Sequence, residues 1–230
     1  MKRRLIFMLL AILSVATIFS SCKKDDDKDE QFTIDKQAIT LVHDGTETIV
    51  ASEAATWSSD NEFVATVDDK GVITGNHIGE AIITATAKGK SQNVKVTVKA
   101  KYNTITEPIM DFSLTREQVK GQATGILSQE NESGLSYFIN SSKSQLNMYI
   151  FEETTGKLKQ SAWGAYSLTE VSPSDLVGFL VERYQPVTME DGYYFFINSN
   201  KLESATMYVT FTANKGNLMV LYSSYNNRKS

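Results

Sequence analysis

Cysteine, histidine and proline are scarce in this chain: one, two and three among 230 residues. A single cysteine excludes a disulfide framework and a cysteine-rich zinc site. Both histidines, His43 and His77, precede residue 80. A Ser-His or Cys-His nucleophile in the later half would therefore need an imidazole from elsewhere. There is no HExxH pair and no glycine-rich phosphate loop, so no metal or cofactor is implied. Basic excess is also missing. Lys and Arg number 23 against 27 Asp and Glu, net −4. After residue 21 the balance is 20 against 27, net −7, which argues against a nucleic-acid binder. With 41% apolar and 22% charged residues, the chain is nonetheless composed to fold.

Lys2, Arg3 and Arg4 precede Leu5 to Phe19, an uncharged run in which only Ser14 and Thr17 are polar. As a helix it reaches about 22 Å, short of the roughly 30 Å hydrocarbon layer. This is the pattern of a secretory signal, residues 1–21, rather than of a membrane span. Phe19-Ser20-Ser21-Cys22 resembles a bacterial lipobox, with Phe19 in place of the usual Leu. The resemblance implies a lipidated Cys22 and a membrane contact made through that lipid; the alternative is a secreted protein with a stray thiol. Residues 22–31 then form a tether. Lys23, Lys24, Asp25, Asp26, Asp27, Asp29 and Glu30 are charged with no apolar residue among them, a composition that stays solvated. Such a run resembles the signal that sends some Gram-negative lipoproteins to the outer leaflet. The expectation is an outer-membrane, lipid-anchored protein at the cell surface; a plain spacer and a calcium site are the other readings.

From 32 to 100 the pattern changes to short strands between turns. Val94, Val96 and Val98 alternate with Lys95, Thr97 and Lys99, the period of a half-buried strand. Asp68-Asp69-Lys70-Gly71 and Lys88-Gly89-Lys90 read as tight turns. Five or six strands without a helix predict a β-sandwich. Trp57-Ser58-Ser59-Asp60-Asn61, Val64 to Asp68, Gly71 to Gly75, Gly79 and Ile83-Thr84-Ala85 resemble, in order and spacing, the bacterial immunoglobulin-like domain of group 2. The resemblance implies Trp57 as the core aromatic and a protein of the cell surface, in contact with protein or sugar. His43 and His77 are expected in solvent-exposed loops.

All ten tyrosines and all three prolines lie within 101–230, which marks a second domain. Ser113 to about Leu127 has helical spacing, and Ser172-Pro173-Ser174-Asp175 is a helix start with Ser as N-cap and Pro in the first turn. The word Phe-Ile-Asn-Ser occurs at 138–141 and 196–199, and Met-Tyr-Ile and Met-Tyr-Val begin at 148 and 207. These echoes predict a duplicated unit, about 112–168 and 172–225, each a helix followed by three strands. The fold class expected is mainly β: an Ig-like sandwich, then an α+β domain with an antiparallel sheet.

Candidate chemistry is sparse. Glu152 and Glu153 read as neighbours on a strand, pointing to opposite faces, so they do not converge as a glycosidase requires. Glu190-Asp191-Gly192 reads as a turn. Trp163, Tyr166, Tyr193, Tyr194, Tyr222 and Tyr225 are a candidate sugar-stacking platform, with amides from Asn198, Asn200, Asn226 and Asn227; ordinary strand packing is the competing explanation. The sequence therefore points to a non-enzymatic envelope lipoprotein that displays a binding domain on an Ig-like stem, for adhesion or protein interaction with a host or bacterial surface protein or glycan. A glycan-binding accessory of a polysaccharide-uptake system is the first alternative, an enzyme or enzyme inhibitor the second.

Overall fold

A computed structural model describes residues 31–166, 171–214 and 216–225. The signal segment, Cys22 and the acidic tether lie outside the described residues, as do Asn226 and Asn227. The described residues from Phe32 onward belong to one compact unit.

The first part is a sandwich of seven strands rather than five or six. Strands β1 (Ala38–Val42), β3 (Thr56–Ser59), β6 (Gly79–Ala87) and β7 (Lys90–Lys99) form a sheet in the order β1-β7-β6-β3. Strands β2 (Thr46–Thr48), β4 (Ala65–Val67) and β5 (Val72–Gly75) form the second, ordered β2-β5-β4. Alternation decides what is buried. Val94, Val96 and Val98 point inward with Ile73, Ile83, Val64 and Ile39, while Lys95 and Lys99 face water. Trp57 is only partly buried, packed at the edge of that cluster and of a smaller one around Phe32. It is a flank of the core rather than its centre. Gly71 explains the turn before β5: its φ is +77°, and a Cβ there would meet the Ile49 carbonyl oxygen at 2.5 Å, so no other residue fits.

The second part opens with helix α1 (Arg116–Gln122), shorter than the expected run from Ser113 to Leu127. Thr115 caps it, and Gln118 closes the capping box. Ala123 then turns extended, and Gly125 at φ +101° redirects the chain into β8 (Ile126–Glu130). Strands β9 (Gly134–Phe138), β10 (Gln145–Phe151) and β11 (Leu158–Ala165) follow. Helix α2 (Pro173–Val181) has Pro173 in its first turn and Ser172 at the N-cap position, although the Ser172 hydroxyl bonds Ser174 rather than the backbone. Strands β12 (Gln185–Glu190), β13 (Tyr193–Ile197), β14 (Met207–Asn214) and β15 (Asn217–Ser224) complete the chain. Each helix thus precedes four strands, not three. The strand missed in each half is the first one, β8 or β12, an exposed edge with little apolar alternation.

All eight strands form one antiparallel sheet, ordered β12-β13-β14-β15-β11-β10-β9-β8. The last strand of each half lies at the centre, and Gln160 to Ala165 pairs with Ser223 to Leu218. The helices share one face. Leu176, Phe179 and Leu180 of α2 pack on Trp163, Val209, Phe211, Val220 and Tyr222. Val119 of α1 packs on Leu135, Tyr137, Tyr149 and Leu158. Phe112, in the connection from the sandwich, touches both clusters.

The repeated words do not superpose in this topology. Phe138 pairs with Leu146, and Ile197, not Phe196, holds the matching place opposite Tyr208. A one-residue slip reverses every side chain: Phe138 is half-exposed and Phe196 buried, and Tyr149 is buried where Tyr208 is not. What the two words share is an asparagine with one job. Asn140 Oδ1 accepts from the amides of Ser144 and Gln145, and Asn198 Oδ1 accepts from those of Thr206 and Met207.

Candidate interaction face

The strand pairings give the second face of the eight-stranded sheet residue by residue. One row runs Glu190, Tyr193, Thr212, Met219, Gly164, Leu146, Phe138, Ile126. The next runs Thr188, Phe195, Thr210, Leu221, Ala162, Met148, Ser136, Gln129. A third runs Gln185, Ile197, Tyr208, Ser223, Gln160, Ile150, Gly134. Glu190, at one edge, is the single charged side chain in these rows.

Strands such as Met-Tyr-Val-Thr-Phe-Thr and Leu-Met-Val-Leu-Tyr carry apolar residues at both parities. That is the composition of a sheet covered on both sides, yet both helices occupy the same side. Solvent reaches the other: Tyr193 is 45% exposed, Met219 43%, Ile150 42% and Ile126 60%. Leu146, Ala162 and Ile197 on this face are buried by their neighbours but belong to neither helix-covered cluster. Met148 lies flat, its methyl close above Gly164. Near one end a shallow apolar cleft of about 390 Å³ is lined by Val187, Phe195, Ile197, Leu202, Tyr208 and Tyr225.

The aromatic residues singled out in the sequence do not assemble into a platform. Trp163 and Tyr222 are wholly buried on the helix side, so neither ring can meet a sugar. Tyr193 and Tyr194 are adjacent on β13 and face opposite ways: Tyr193 looks out from the open face, while Tyr194 stacks on Phe211 at 5.6 Å between centroids. Tyr166 is exposed just past the end of β11. Tyr225 meets Tyr208 edge-on. Asn198 is engaged in its turn, and Asn200 lines a different cleft. The residues that do form the face, Met219, Leu221, Met148, Ile150 and Phe195, carry no motif. Their signal is the double-parity apolar pattern and nothing more local.

The histidines are not the exposed loop residues expected. His77 is 4% exposed and His43 half-buried. They line a cleft of about 530 Å³ with Asp44, Asn76, Gln185 and Asn200, where the sandwich meets the second domain. His43 Nδ1 bonds the Asn76 carbonyl. His77 Nδ1 lies 2.7 Å from the Phe63 carbonyl oxygen, and its ring also meets the backbone of Tyr184. Burial holds the His77 imidazole below its usual range. Both imidazoles are held by backbone carbonyls, and His43 Nε2 lies 3.4 Å from Asp44 Oδ2. Glu152 and Glu153 are not on a strand: β10 ends at Phe151, and they sit in the turn that follows, beside a second open cleft. Among the described residues no three His, Cys, Asp or Glu side chains come together as metal ligands, and no helix is long and apolar enough to cross a membrane.

Comparison with known proteins bears on the sandwich alone. Residues 28–98 match the bacterial Ig-like domain (group 2). No curated protein matches the chain. Among solved structures, domains 5–6 of the S-layer protein SbsC align at 12% identity over 87% of this chain and 86% of that one, with a TM-score of 0.27. Domains 4–9 of the surface layer protein SbsC align at 13% identity over 87% and 27%, with a TM-score of 0.28. Superpositions this loose carry no argument.

Proposed function

We propose that this chain is a non-enzymatic lipoprotein, anchored through Cys22 and displayed at the outer surface of the bacterial envelope, whose eight-stranded sheet engages a protein partner. The single observation that carries the reading is the open sheet face: apolar and hydroxyl-bearing, charged at Glu190 on one edge and at Lys143 over the Phe138 ring, and wet at Tyr193, Met219, Ile150 and Ile126. Apolar surface left open on a sheet whose strands are apolar at both parities marks an interaction site. Depletion of charge with Met and aromatic residues present is the composition of a protein interface. The sole cysteine, at position 22 behind an apolar run, and the charged stretch to Glu30 support the anchor and the tether. The Ig-like domain is the spacer between them and the binding face.

A photo-cross-linking amino acid at Met219, expressed in intact cells, tests this reading. It is expected to yield a protein adduct that the same probe at Val50, exposed on the sandwich, does not. Equal adduct formation at both sites, or none at Met219, contradicts the reading.

A further inference from the structure

We infer that the interior of the second domain binds an ordered water molecule, held by Trp163, Asn147 and Ser161 at the seam between its two halves. The site lies on the helix-covered side of the sheet and is independent of the partner proposed above.

Among the described residues three buried side-chain atoms have no protein partner: Asn147 Oδ1, Ser161 Oγ and Trp163 Nε1. Asn147 is 3% exposed, Ser161 1% and Trp163 0%, so bulk solvent does not reach them. Buried polar groups in folded proteins pair with protein or with ordered water, because an unpaired one carries the full cost of leaving solvent. The strand register brings these three together. Asn147 stands directly opposite Trp163 across β10 and β11, and Ser161 is two residues from Trp163 on the same face. Opposite side chains start about 5 Å apart at Cβ, and residues two apart on a strand about 6.8 Å apart.

Their hydrogen-bond chemistry is complementary through a bridge. An indole N–H only donates, an amide oxygen only accepts, and a serine hydroxyl does either. Trp163 and Asn147 are thus a matched donor and acceptor at facing positions, yet they do not bond each other. Matched groups too far apart for a direct bond are joined by water. The water accepts from Trp163 Nε1, donates to Asn147 Oδ1 and shares a third bond with Ser161 Oγ, about the number that internal waters make. An ion does not fit this set, because one member offers a proton and another a lone pair.

The surroundings supply space and enclosure. In its row Ser161 stands between Tyr149 on β10 and Tyr222 on β15, both buried. The tips of both rings are held by the connection from the sandwich: Tyr149 OH lies 3.4 Å from the Ile109 amide, and Tyr222 OH donates to Glu107 at 3.0 Å. A serine between two rings fixed at their tips leaves the room that a water needs. Pro108, between those two contacts, is itself buried and closes the row. Trp163 belongs to the cluster under α2 and Tyr149 to that under α1, whereas Asn147 and Ser161 belong to neither. The water therefore joins the two cores where polar residues separate them.

The test reads the indole N–H groups by nuclear magnetic resonance in the full-length chain, isotopically labelled at its two tryptophans, Trp57 and Trp163. Trp163 should show a nuclear Overhauser effect to water, of the sign that marks a long-lived bound molecule. The effect should persist in Tyr149→Phe and in Ser161→Ala, where an exchanging hydroxyl is gone and at least two partners still hold the water. Asn147→Leu, which fills the site and removes the acceptor, should abolish it; if that variant does not fold, the unaltered chain and the two conservative variants decide. A crystal structure should place one density peak about 2.7–3.1 Å from both Trp163 Nε1 and Asn147 Oδ1. Absence of the effect in the unaltered chain overturns the inference. So does its loss in either hydroxyl variant, which assigns it to relay through that hydroxyl, and so does a direct bond between Trp163 and Asn147 in the crystal.

Discussion

The imidazole of His77 lies flat on the ring of Phe63, with centroids 4.0 Å apart and planes 6° from parallel. Phe63 also supplies the carbonyl beside Nδ1. The next amide, of Ile78, donates to the carbonyl of Glu182 at 2.8 Å, and the buried Glu182 carboxylate accepts from the amides of Lys101 and Tyr102. This junction joins the sandwich to the second domain through backbone, ring stacking and one buried carboxylate. It fixes the position of the sheet relative to the sandwich.

Stability should depend on pH through His77. Burial lowers its folded-state pKa below the ordinary 6.5, so the unfolded chain takes up the proton first. The contribution is fully present above pH 6.5 and declines as pH falls from there toward the folded value, by at most about 1.4 kcal/mol per pH unit. Urea unfolding at pH 7.5, 6.5 and 5.5 should show this decline. His77→Phe, which keeps the stack, should flatten it. An unchanged slope in the variant would assign the pH dependence to other groups.

Glu107 ties the connection between domains to the core. Its Oε1 accepts from the hydroxyls of Tyr184 at 2.8 Å and Tyr222 at 3.0 Å, and Arg183 lies beside it. Glu107→Leu leaves the buried Tyr184 and Tyr222 hydroxyls without their carboxylate acceptor, a loss of about 2–4 kcal/mol, while Arg183 keeps its pair with Glu182. Tyr222→Phe should lose only about 1 kcal/mol. Burial first, and then the Glu107 carboxylate, push both phenols well above the usual tyrosine range. An absorbance titration should find that these two ionise only when the protein unfolds at high pH.

Two helical glycines should respond in opposite directions to alanine. At Gly121 of α1 a Cβ meets nothing, whereas at Gly178 of α2 it would lie 2.6 Å from the ring of Tyr102. Gly121→Ala should stabilise by up to about 1 kcal/mol through helix propensity. Gly178→Ala should destabilise by about 1–3 kcal/mol, because the ring packs on the α2 core cluster and overpacking outweighs propensity. Denaturant midpoints of the two variants decide it.

The anchor is tested by Cys22→Ala, which should move the protein from the membrane to the soluble fraction. Mass spectrometry of the unaltered protein should find a chain that begins at an acylated Cys22. Retention of the variant in the membrane would contradict a lipid anchor.

The sandwich could be read from its sequence because one face of each strand is polar and one apolar, as at Val94 to Lys99, and because Gly71 can hold its turn only as glycine. The second domain was legible in class but not in register. Tyrosine-rich strands with apolar residues on both faces have no polar side to fix their phase, so Phe138 and Phe196 matched as letters while facing opposite ways. Edge strands β8 and β12, exposed almost throughout, carry too little alternation to be told from loop or helix. The aromatic platform failed for the same reason: burial of Trp163 and Tyr222 depends on where α2 docks, which no local pattern around either residue specifies. His77 was misplaced because its partners, Phe63 and Tyr184, lie on either side of the domain junction.

The most direct measurement is the oxidation rate of methionines in the unaltered protein, in its native envelope and after purification and dilution. Met219 and Met189 are both exposed in the single chain, but only Met219 lies in the outward rows. If the open sheet face is covered in the cell, Met219 should oxidise several-fold more slowly in the envelope than in dilute solution, with Met189 as the unchanged reference. Equal rates for Met219 in the two settings would show that the face meets only water, and would contradict the account.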